Sequence, residues 1–394
     1  MTPHVLTLNA GSSSIKFALF EVRAESLELR AAGEVEGLGG KPRLLVKGEA
    51  AADLDLAAGR DHDAALGAVM RALRRLAPDA EIAAVGHRIV HGGLEFDRPV
   101  LINDSLLVAL AALEPLAPLH QPHNLAGVRA ARAAFPHAPQ VACFDTAFHR
   151  GHDFVNDTYG LPREFYREGV RRYGFHGLSY EYIARRFAQM EPQTAAGRVV
   201  VAHLGNGASA CGLVGGRSAA SSMGFSTLDG LAMGTRPGQT DPGVLLYLMQ
   251  AKGLDAAALT DLLYKRSGLK GLSGLSNDMR DLEASPAPEA REAVDYFIHR
   301  LVCEIGALAA AIGGLDALVF TGGIGEHSSH VRGEVMRKLA WLGMEPDESA
   351  NRADASRISA EGSTIGVYVV PANEELMIAE HAARVGLGIA ATSR

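Results

Sequence analysis

The stretch "LNAGSSSIKF" at residues 8–17 combines residue types that can hold an anion. It follows an apolar run and places an amide, a glycine, three hydroxyls and a cation before apolar residues return: Asn9, Gly11, Ser12, Ser13, Ser14 and Lys16. Backbone N–H groups at such a turn can approach a phosphate closely. The stretch is not a Walker loop, because G-x-x-x-x-G-K-[ST] does not occur in the chain. We therefore interpret it as a phosphate-binding hairpin between two strands.

Charged side chains that interrupt apolar runs are the second signal of chemistry. A buried charge is costly unless it is paired or faces a ligand. For any single one of them an internal Arg–Asp salt bridge is the simpler explanation. As a group, and together with Lys16 and Glu374, they indicate one polar cleft. They are Arg88 in "VGHRIV", Asp145 in "CFDTAF", His176 in "YGFHG" and Arg236 in "AMGTRPG".

A second glycine turn, "GNGASA" at residues 205–210, fits the dinucleotide fingerprint G-x-G-x-x-G/A. That fingerprint needs a helix that begins inside the motif, because the helix N-terminus faces the pyrophosphate. The following "CGLVGGRSAASS" has no helical periodicity, so a strand-to-strand hairpin is favoured. Residues 200–215 also repeat the strand–turn–strand pattern of residues 5–20. Unless this similarity is due to chance, it predicts two similar domains that each begin with such a hairpin.

Two further patterns have competing interpretations. In "TGGIGEHS" (321–328) the glycines would let a planar ring or a ribose lie against the backbone, or they mark a tight strand-to-helix turn. Histidines spaced three apart, at 120 and 123 and at 149 and 152, resemble metal ligands. Neither pair has a third ligand at a recognisable spacing, so a zinc site is disfavoured.

The bulk composition limits the class of protein. The chain has 394 residues, 47% of them hydrophobic and 21% charged, which predicts a folded protein of two domains. Its net charge of -7 argues against a nucleic-acid partner. Three widely spaced cysteines argue against disulfides, and no apolar stretch is long enough to span a bilayer. We expect a soluble, cytoplasmic protein.

Alternating strand and helix patterns predict α/β architecture. Strands or strand-containing segments are expected at residues 4–8, 15–22, 82–93, 140–149, 198–207, 315–326 and 364–375. Helices are expected at residues 62–77 and 289–312, where apolar residues recur at helical spacing.

The motifs, taken in order, resemble the acetate kinase family of the acetate and sugar kinase, heat-shock chaperone and actin superfamily. The resemblance covers nearly the whole chain and is carried by "NAGSSSIKF", "GHRIVHGG", "CFDTAFH", "YGFHGLSYEYI", "HLGNGASAC", "MGTRPGQTDPG", "FTGGIGEHS" and "ANEELMIA". It implies two duplicated actin-like, ribonuclease H-like domains, 1–148 and 149–374, with the active site in the cleft between them. A C-terminal helix at about 375–394 would pack back on the first domain. A homodimer is also implied.

The resemblance also implies a role for each site residue. Asp145 is the acid/base residue of the family, His176 and Arg236 would stabilise the transition state, and Arg88 would bind the acetate carboxylate. Asn9 and Glu374 would help to hold Mg²⁺, with Mn²⁺ as an alternative, and Ser12 and Ser14 belong to the phosphate loop. ATP or ADP would contact Lys16, His203, Leu204, Gly205, Asn206, Gly207, Asp278, Met279, Arg280, Gly323, Ile324, Gly325, Glu326 and His327.

Departures from the family pattern lie near the expected ligands. Pro237 stands where "MGTRSG" is usual, and His327 stands where the family has asparagine in "GIGEN". Thr227 replaces a common proline near the acyl pocket, and "LHQPHN" (119–124) replaces a pattern nearer "LHNPPN". These changes leave the choice between acetate and propionate open.

The residues support direct phosphoryl transfer from ATP to acetate, which gives acetyl phosphate and ADP and is reversible. Arg88, Arg236, Lys16 and His176 supply donors for the charge that develops on the phosphoryl oxygens. Acetate is already ionised at neutral pH, so it needs no general base. We therefore expect Asp145 to orient Mg²⁺ through water, or to orient an arginine. A chaperone or filament of the same superfamily is the alternative of another class, and a dinucleotide oxidoreductase is remote.

Overall fold

Two compact units make up the chain. The computed structural model describes residues 2–11, 14–23, 26–38, 40–54 and 62–389, without the side chains of residues 62 and 63. Contacts between Cα atoms group Met1–Arg150 with Asn373–Arg394 as the first unit, and Gly151–Ala372 forms the second. The domain bounds 1–148 and 149–374 stay predictions, because compactness alone does not establish that either part folds independently.

The first unit is built on a mixed sheet. Its strands are β1 (Thr2–Ala10), β2 (Ser14–Val22), β3 (Leu27–Glu36), β4 (Arg43–Val46), β5 (Ala52–Asp53), β6 (Ala80–Ile89), β7 (Val100–Leu101) and β8 (Gln140–Phe144). Their spatial order is β5-β4-β3-β2-β1-β6-β8-β7. Successive strands from β1 to β5 pair antiparallel, whereas β1, β6 and β8 are parallel neighbours. Helices α1 (His62–Leu76), α2 (Asp104–Ala111) and α3 (Gln121–Ala134) connect the strands.

The second unit repeats the central strand order of the first. Its strands are β9 (Arg198–Leu204), β10 (Ala208–Val214), β11 (Arg217–Ser221), β12 (Ala317–Thr321) and β13 (Gly366–Val369). They lie in the order β11-β10-β9-β12-β13, which corresponds to β3-β2-β1-β6-β8. Each unit thus begins with an antiparallel hairpin and continues with parallel strands. This confirms the predicted α/β class with a duplicated fold.

The helices of the second unit follow in chain order. They are α4 (Phe154–Asp157), α5 (Arg163–Arg167), α6 (Gly177–Met190), α7 (Pro192–Ala195), α8 (Pro242–Lys252), α9 (Ala256–Lys265), α10 (Gly268–Ser273), α11 (Met279–Ala284), α12 (Pro288–Ala311), α13 (Gly322–His327), α14 (Ser329–Lys338) and α15 (Glu348–Arg352). Short 3₁₀ turns occur at Glu114–Leu116, Ala147–His149 and Ala340–Leu342. Among the helices that the structure describes, none is long and apolar enough to cross a membrane.

The last helix, α16 (Glu374–Leu387), packs in the first unit against β6, β1 and β8. Successive residues of a strand point to opposite faces, so Val85 joins the core beneath α1 and α3 while Gly86 faces α16. A Cβ on Gly86 would lie 2.6 Å from Ile378 Cγ2. The absence of a side chain therefore lets the helix approach the sheet closely. Asn373 caps the helix by accepting the Leu376 N–H, which places Glu374 in the first turn.

A buried polar contact joins β6 to β8. His87 is 2% exposed, and its Nε2 lies 2.8 Å from Gln140 Oε1. Burial of the imidazole lowers the pKa of His87 to about 4, although the bond to Gln140 opposes the shift. The folded chain therefore keeps this histidine neutral at pH values where the unfolded chain, with a pKa near 6.5, binds a proton.

We predict that His87 makes folding sensitive to acid between pH 6.5 and 4. Its contribution to stability is complete above pH 6.5 and is lost as the pH falls, because the unfolded state gains the proton. In urea titrations across this window, the wild type should lose about 3 kcal/mol more of its free energy of unfolding than His87→Gln. His137→Gln, at an exposed histidine of the same unit, is the control and should follow the wild type. Parallel curves for the wild type and His87→Gln would contradict the prediction.

Candidate active site

The first group of predicted site residues lies at one edge of the first sheet. Since β1, β6 and β8 are parallel, their carboxyl ends meet at this edge. Asn9 is near the end of β1, Arg88 is near the end of β6, and Asp145 directly follows β8. The Asp145 N–H donates to the Ile89 carbonyl at 3.0 Å, which fixes the start of the loop. Glu374 begins α16, the helix that packs on these strands.

Arg88 and Asp145 form a multiple hydrogen-bonded ion pair. Arg88 Nε lies 3.0 Å from each Asp145 carboxylate oxygen, and Nη2 donates to Oδ2 at 2.6 Å. The remaining nitrogen, Nη1, donates to Asn9 Oδ1 at 3.4 Å and lies 3.9 Å from Glu374 Oε2. The guanidinium thus presents one side to Asp145 and the other to oxygen atoms of Asn9 and Glu374.

Arg88 stays protonated although most of its side chain is buried. The Asp145 side chain is 1% exposed and the Arg88 side chain 20%. Burial alone would lower the pKa of Arg88, but the charges of Asp145 and Glu374 raise it above its usual value. A partly exposed guanidinium held in this way is suited to binding a planar anion such as a carboxylate, whose two oxygens match the guanidinium fork.

The hairpin between β1 and β2 brings Lys16 to the same region of the sheet. Lys16 pairs with Asn9 across the hairpin, so the two side chains emerge on the same face. Lys16 is exposed, and Ser14 begins β2 with its carbonyl accepting the Gly11 N–H at 2.8 Å. Ser12 lies outside the described residues.

The second group of predicted residues surrounds the turn between β9 and β10. His176 immediately precedes α6 and has φ 57°, a left-handed conformation that is uncommon for a residue with a side chain. A Cβ on Gly207 would lie 2.9 Å from Arg236 Nη2 and 3.5 Å from His176 Nε2. The two nitrogens therefore flank this glycine. Arg236 Nη1 donates to the Thr227 carbonyl at 2.9 Å, which orients the guanidinium.

A cavity of about 370 Å³ opens beside this turn in the second unit. It is formed by the turn after β9, by α11 with the residues just before it, and by α13 with the residue after it. Most of its lining residues were predicted to contact nucleotide, namely Gly205, Asn206, Asp278, Met279, Arg280, Gly323, Ile324 and His327. Three further lining residues were not predicted from the sequence, namely Asn277, Glu283 and Ser328. Asn277 directly precedes the predicted Asp278–Arg280 segment, so extension of that segment by one residue would have found it.

Other residues predicted to contact nucleotide have different surroundings. Leu204 is fully buried, and His203 Nδ1 lies 2.8 Å from Ser179 Oγ. Glu326 Oε1 accepts the backbone N–H groups of Gly322 and Ala372, at 2.9 and 3.0 Å. Within the described part of the chain these residues do not line the cavity, and neither do Gly207 and Gly325. The hydrogen bond from Gly322 to the Glu326 carboxylate holds the first turn of α13, where lining residues of the cavity begin.

The glycines of "TGGIGEHS" form the tight strand-to-helix turn, and a ring or ribose lying against them stays a prediction. β12 ends at Thr321 and α13 begins at once, with Gly322 at φ 77°. A Cβ on Gly322 would meet the Leu204 backbone at 2.9 Å, so the tight strand-to-helix turn requires this glycine. Gly323 and Ile324 then face the cavity.

Arg332 was not among the site residues predicted from the sequence. It is fully buried, and its Nη1 donates to the carbonyls of Gly325 and Glu326 at 3.0 and 2.8 Å. Its Nε and Nη2 bind the side chain and the carbonyl of Asn351 at 2.9 and 2.7 Å. Arg332 therefore holds the C-terminal turn of α13, whose other residues line the cavity. A lone arginine on an apolar helix face was the signal in the sequence.

Comparison with known proteins shows that the chain matches one protein family. The acetokinase family pattern matches residues 4–380. The chain is similar to an acetate kinase of Methylocella silvestris, with 56% identity over 97% of both chains, and to one of Rhizobium meliloti, with 53% identity over 96% of this chain and 97% of the relative.

Solved structures of acyl kinases share the fold. The acetate kinase of Porphyromonas gingivalis is 37% identical with a TM-score of 0.87, over 97% of this chain and 99% of that one. A propionate kinase of Francisella tularensis is 36% identical with a TM-score of 0.90, over 97% of this chain and 100% of that one. The resemblance stated from the motifs is therefore confirmed for the family and the fold.

Proposed function

The chain belongs to the acetokinase family, and on that premise we propose that it transfers the γ-phosphoryl group of ATP to acetate. A carboxylate oxygen forms the new bond to phosphorus as the bond to the β-phosphate oxygen breaks, which gives acetyl phosphate and ADP. The observation that carries the proposal is the Arg88 guanidinium, held by Asp145 and partly exposed at the sheet edge. Nη1 and Nη2 each have a second N–H that these contacts do not use, and the edge that these two nitrogens form would be a bidentate site for a small carboxylate.

The nucleotide is proposed to bind in the cavity of the second unit. Its wall of glycine and Ile324 backbone offers space for a flat base and a ribose, while Arg280 and Asn206 supply polar contacts. The polyphosphate would then follow the turn at residues 205–207, where Gly207 leaves room for phosphoryl oxygens. His176 Nε2 and Arg236 Nη2 flank that glycine and would donate to those oxygens as their charge develops.

Asn9 and Glu374 are the proposed protein ligands of a divalent metal. Amide and carboxylate oxygens are hard donors that suit Mg²⁺, which commonly takes one or two protein ligands and completes its shell with water and phosphate. Both residues lie beside Arg88 at the sheet edge. When bound, the metal would neutralise charge on the phosphate oxygens. Mn²⁺ prefers similar ligands and is the alternative metal.

Asp145 is proposed to orient Arg88 and not to remove a proton. Both of its carboxylate oxygens accept hydrogen bonds from Arg88. The acceptor acid is already ionised at neutral pH, so the reaction needs no base at this position. Of the two roles that the sequence analysis left open for Asp145, the arginine-orienting role has this support.

The acceptor acid is tested by trapping the acyl phosphate product with hydroxylamine. With ATP and Mg²⁺, we expect acetate to give the highest kcat/KM, and a fall through propionate to butyrate would indicate a short acyl pocket. Equal or better use of propionate would assign the protein to propionate phosphorylation. ATP hydrolysis without acyl phosphate from any acid would contradict the proposed function.

Gly207→Ala should reduce turnover without unfolding the protein. The new methyl group would lie 2.9 Å from Arg236 Nη2, so the guanidinium or the turn must shift. Misplacement of this size can cost about 100-fold in kcat, whereas Tm should stay within a few degrees. Gly306→Ala, where a Cβ meets no atom within 4 Å, is the control and should keep its activity. Unchanged kcat in Gly207→Ala would contradict the assigned position of the phosphoryl group.

A homodimer is the further part of the proposal, with α8 in its interface. This 11-residue helix has no buried residue, although its sequence "PGVLLYLMQAK" is largely apolar. Val244, Leu246, Tyr247 and Met249 are each about half exposed. A helix that leaves so many apolar side chains in water is typical of an association surface, and a second copy of the chain would cover it.

Leu246→Asp should convert the dimer to a monomer, because a carboxylate would be buried in an apolar interface without a partner. Light scattering coupled to gel filtration measures the mass, and circular dichroism checks that the variant is folded. Val108→Asp replaces another exposed aliphatic residue, 73% exposed on α2, and serves as the control. A monomeric wild type, or a Leu246→Asp variant that stays dimeric, would contradict this interface. The cytoplasmic location stays a prediction from the cysteine content.

A further inference from the structure

The imidazole of His176 contacts the buried hydroxyl of Ser209, which in turn contacts the hydroxyl of Tyr180. Its Nδ1 lies 2.8 Å from Ser209 Oγ, and Ser209 Oγ lies 2.5 Å from the Tyr180 hydroxyl. Ser209 and Tyr180 are both fully buried. Ser209 lies on β10 and Tyr180 on α6, so two elements of the second unit meet at the histidine.

The backbone at His176 is arranged to place this ring. A left-handed conformation is unfavourable for a residue with a side chain, and such strain clusters at functional sites. The ring stacks on His203, with centroids 4.5 Å apart and planes 30° apart. His203 is held in turn by Ser179 Oγ at 2.8 Å from its Nδ1. Stacking fixes the plane of the His176 ring, and the contact with Ser209 fixes its rotation.

One arrangement of the hydrogen atoms fits the chemistry of the pair. Burial raises the pKa of Tyr180 well above 10, so its phenol is protonated near neutral pH. In this arrangement the phenol donates to Ser209 Oγ across the 2.5 Å contact. Ser209 has one hydroxyl hydrogen of its own, and it then points to His176 Nδ1. A neutral imidazole that accepts at Nδ1 carries its hydrogen at Nε2.

We propose that Tyr180 and Ser209 are positioning residues that hold neutral His176 as the Nε2–H tautomer, so that Nε2 donates to the transferred phosphoryl group. This inference rests on the role proposed above for His176. The opposite tautomer would present a lone pair at Nε2, where it would repel an anionic oxygen at Gly207. We call the hydrogen-bond chain from Tyr180 through Ser209 to His176 the relay. When the relay is intact, the phosphoryl oxygen accepts from His176 as well as from Arg236.

The tautomer can be measured directly in the wild-type protein. Long-range ¹⁵N–¹H correlation spectra of histidine-labelled protein distinguish Nε2–H from Nδ1–H, and comparison with His176→Gln assigns the His176 signals. We expect neutral His176 to carry its hydrogen at Nε2. A neutral ring with its hydrogen at Nδ1 would overturn the proposal, and this result needs no variant of the relay.

Removal of the relay should change both the tautomer and the rate. In Tyr180→Phe we expect a mixture of His176 tautomers. We also expect kcat to fall about tenfold, which is a typical effect of losing a hydrogen-bond partner that orients a functional histidine. The KM values for acetate and ATP should change less than twofold. The control is Tyr173→Phe, because Tyr173 is also buried but its hydroxyl donates to the Gly169 carbonyl.

The outcomes separate the relay from the proposed function. If wild-type protein forms acetyl phosphate but Tyr180→Phe matches Tyr173→Phe in kcat and in the His176 spectrum, the relay proposal is wrong. A changed tautomer with unchanged kcat would also overturn it. If the wild type forms no acyl phosphate, the function fails instead, whatever the spectrum shows.

Discussion

The ion pair between Arg88 and Asp145 is the interaction on which the first unit's site depends. Removal of one partner from a buried pair of this kind typically costs about 3–5 kcal/mol, because the other charge is left uncompensated. The pair forms only if β6 and β8 are parallel neighbours in the observed register, where Arg88 lies opposite Cys143 and Asp145 follows β8. The strand order of the sheet is therefore a condition for the chemistry proposed at its edge.

The two units use one strand order for different purposes. In the first, the parallel strands carry a fixed cation at their carboxyl ends, and the hairpin contributes Lys16. In the second, the hairpin turn is made of small residues, and donors from elsewhere in the unit lie beside it. A glycine at position 207 makes this possible, because any side chain there would occupy the space between His176 and Arg236. The two units therefore share a strand order but differ in the residues at their hairpins and strand ends.

The strands of the two hairpins and the parallel strands beside them were predictable because their signals are local, whereas β3, β4, β5, β7 and β11 were not predicted. Period-two patterns located the strands, and the lack of helical periodicity after "GNGASA" predicted β10 correctly. Ends were less accurate: the segment 82–93 is a strand only to Ile89, and 140–149 is a strand to Phe144 followed by a 3₁₀ turn. A strand ends where its main-chain pairing with a neighbouring strand ends, and that neighbour can be distant in sequence.

The proximity of Arg88 and Asp145 was predictable because each charge interrupts an apolar run, and their roles stay predictions. The site was not predictable where function depends on ordinary-looking residues whose partners are distant in sequence. Arg332 acts through carbonyls of α13 and through Asn351, and Ser209 joins Tyr180 to His176. A serine on a strand and a tyrosine on a helix carry no signal of a relay until the fold brings them together.

A double-mutant cycle on Arg88 and Asp145 would show whether Asp145 acts through the arginine. We would measure kcat/KM for acetate in Arg88→Gln, Asp145→Asn and the double variant, with Mg²⁺ saturating. If Asp145 acts by orienting Arg88, its substitution lowers kcat/KM in the wild-type background but changes it little once Arg88 is gone. If the two substitutions multiply, Asp145 acts independently of the arginine, through the metal or a proton, and the account of this site is wrong.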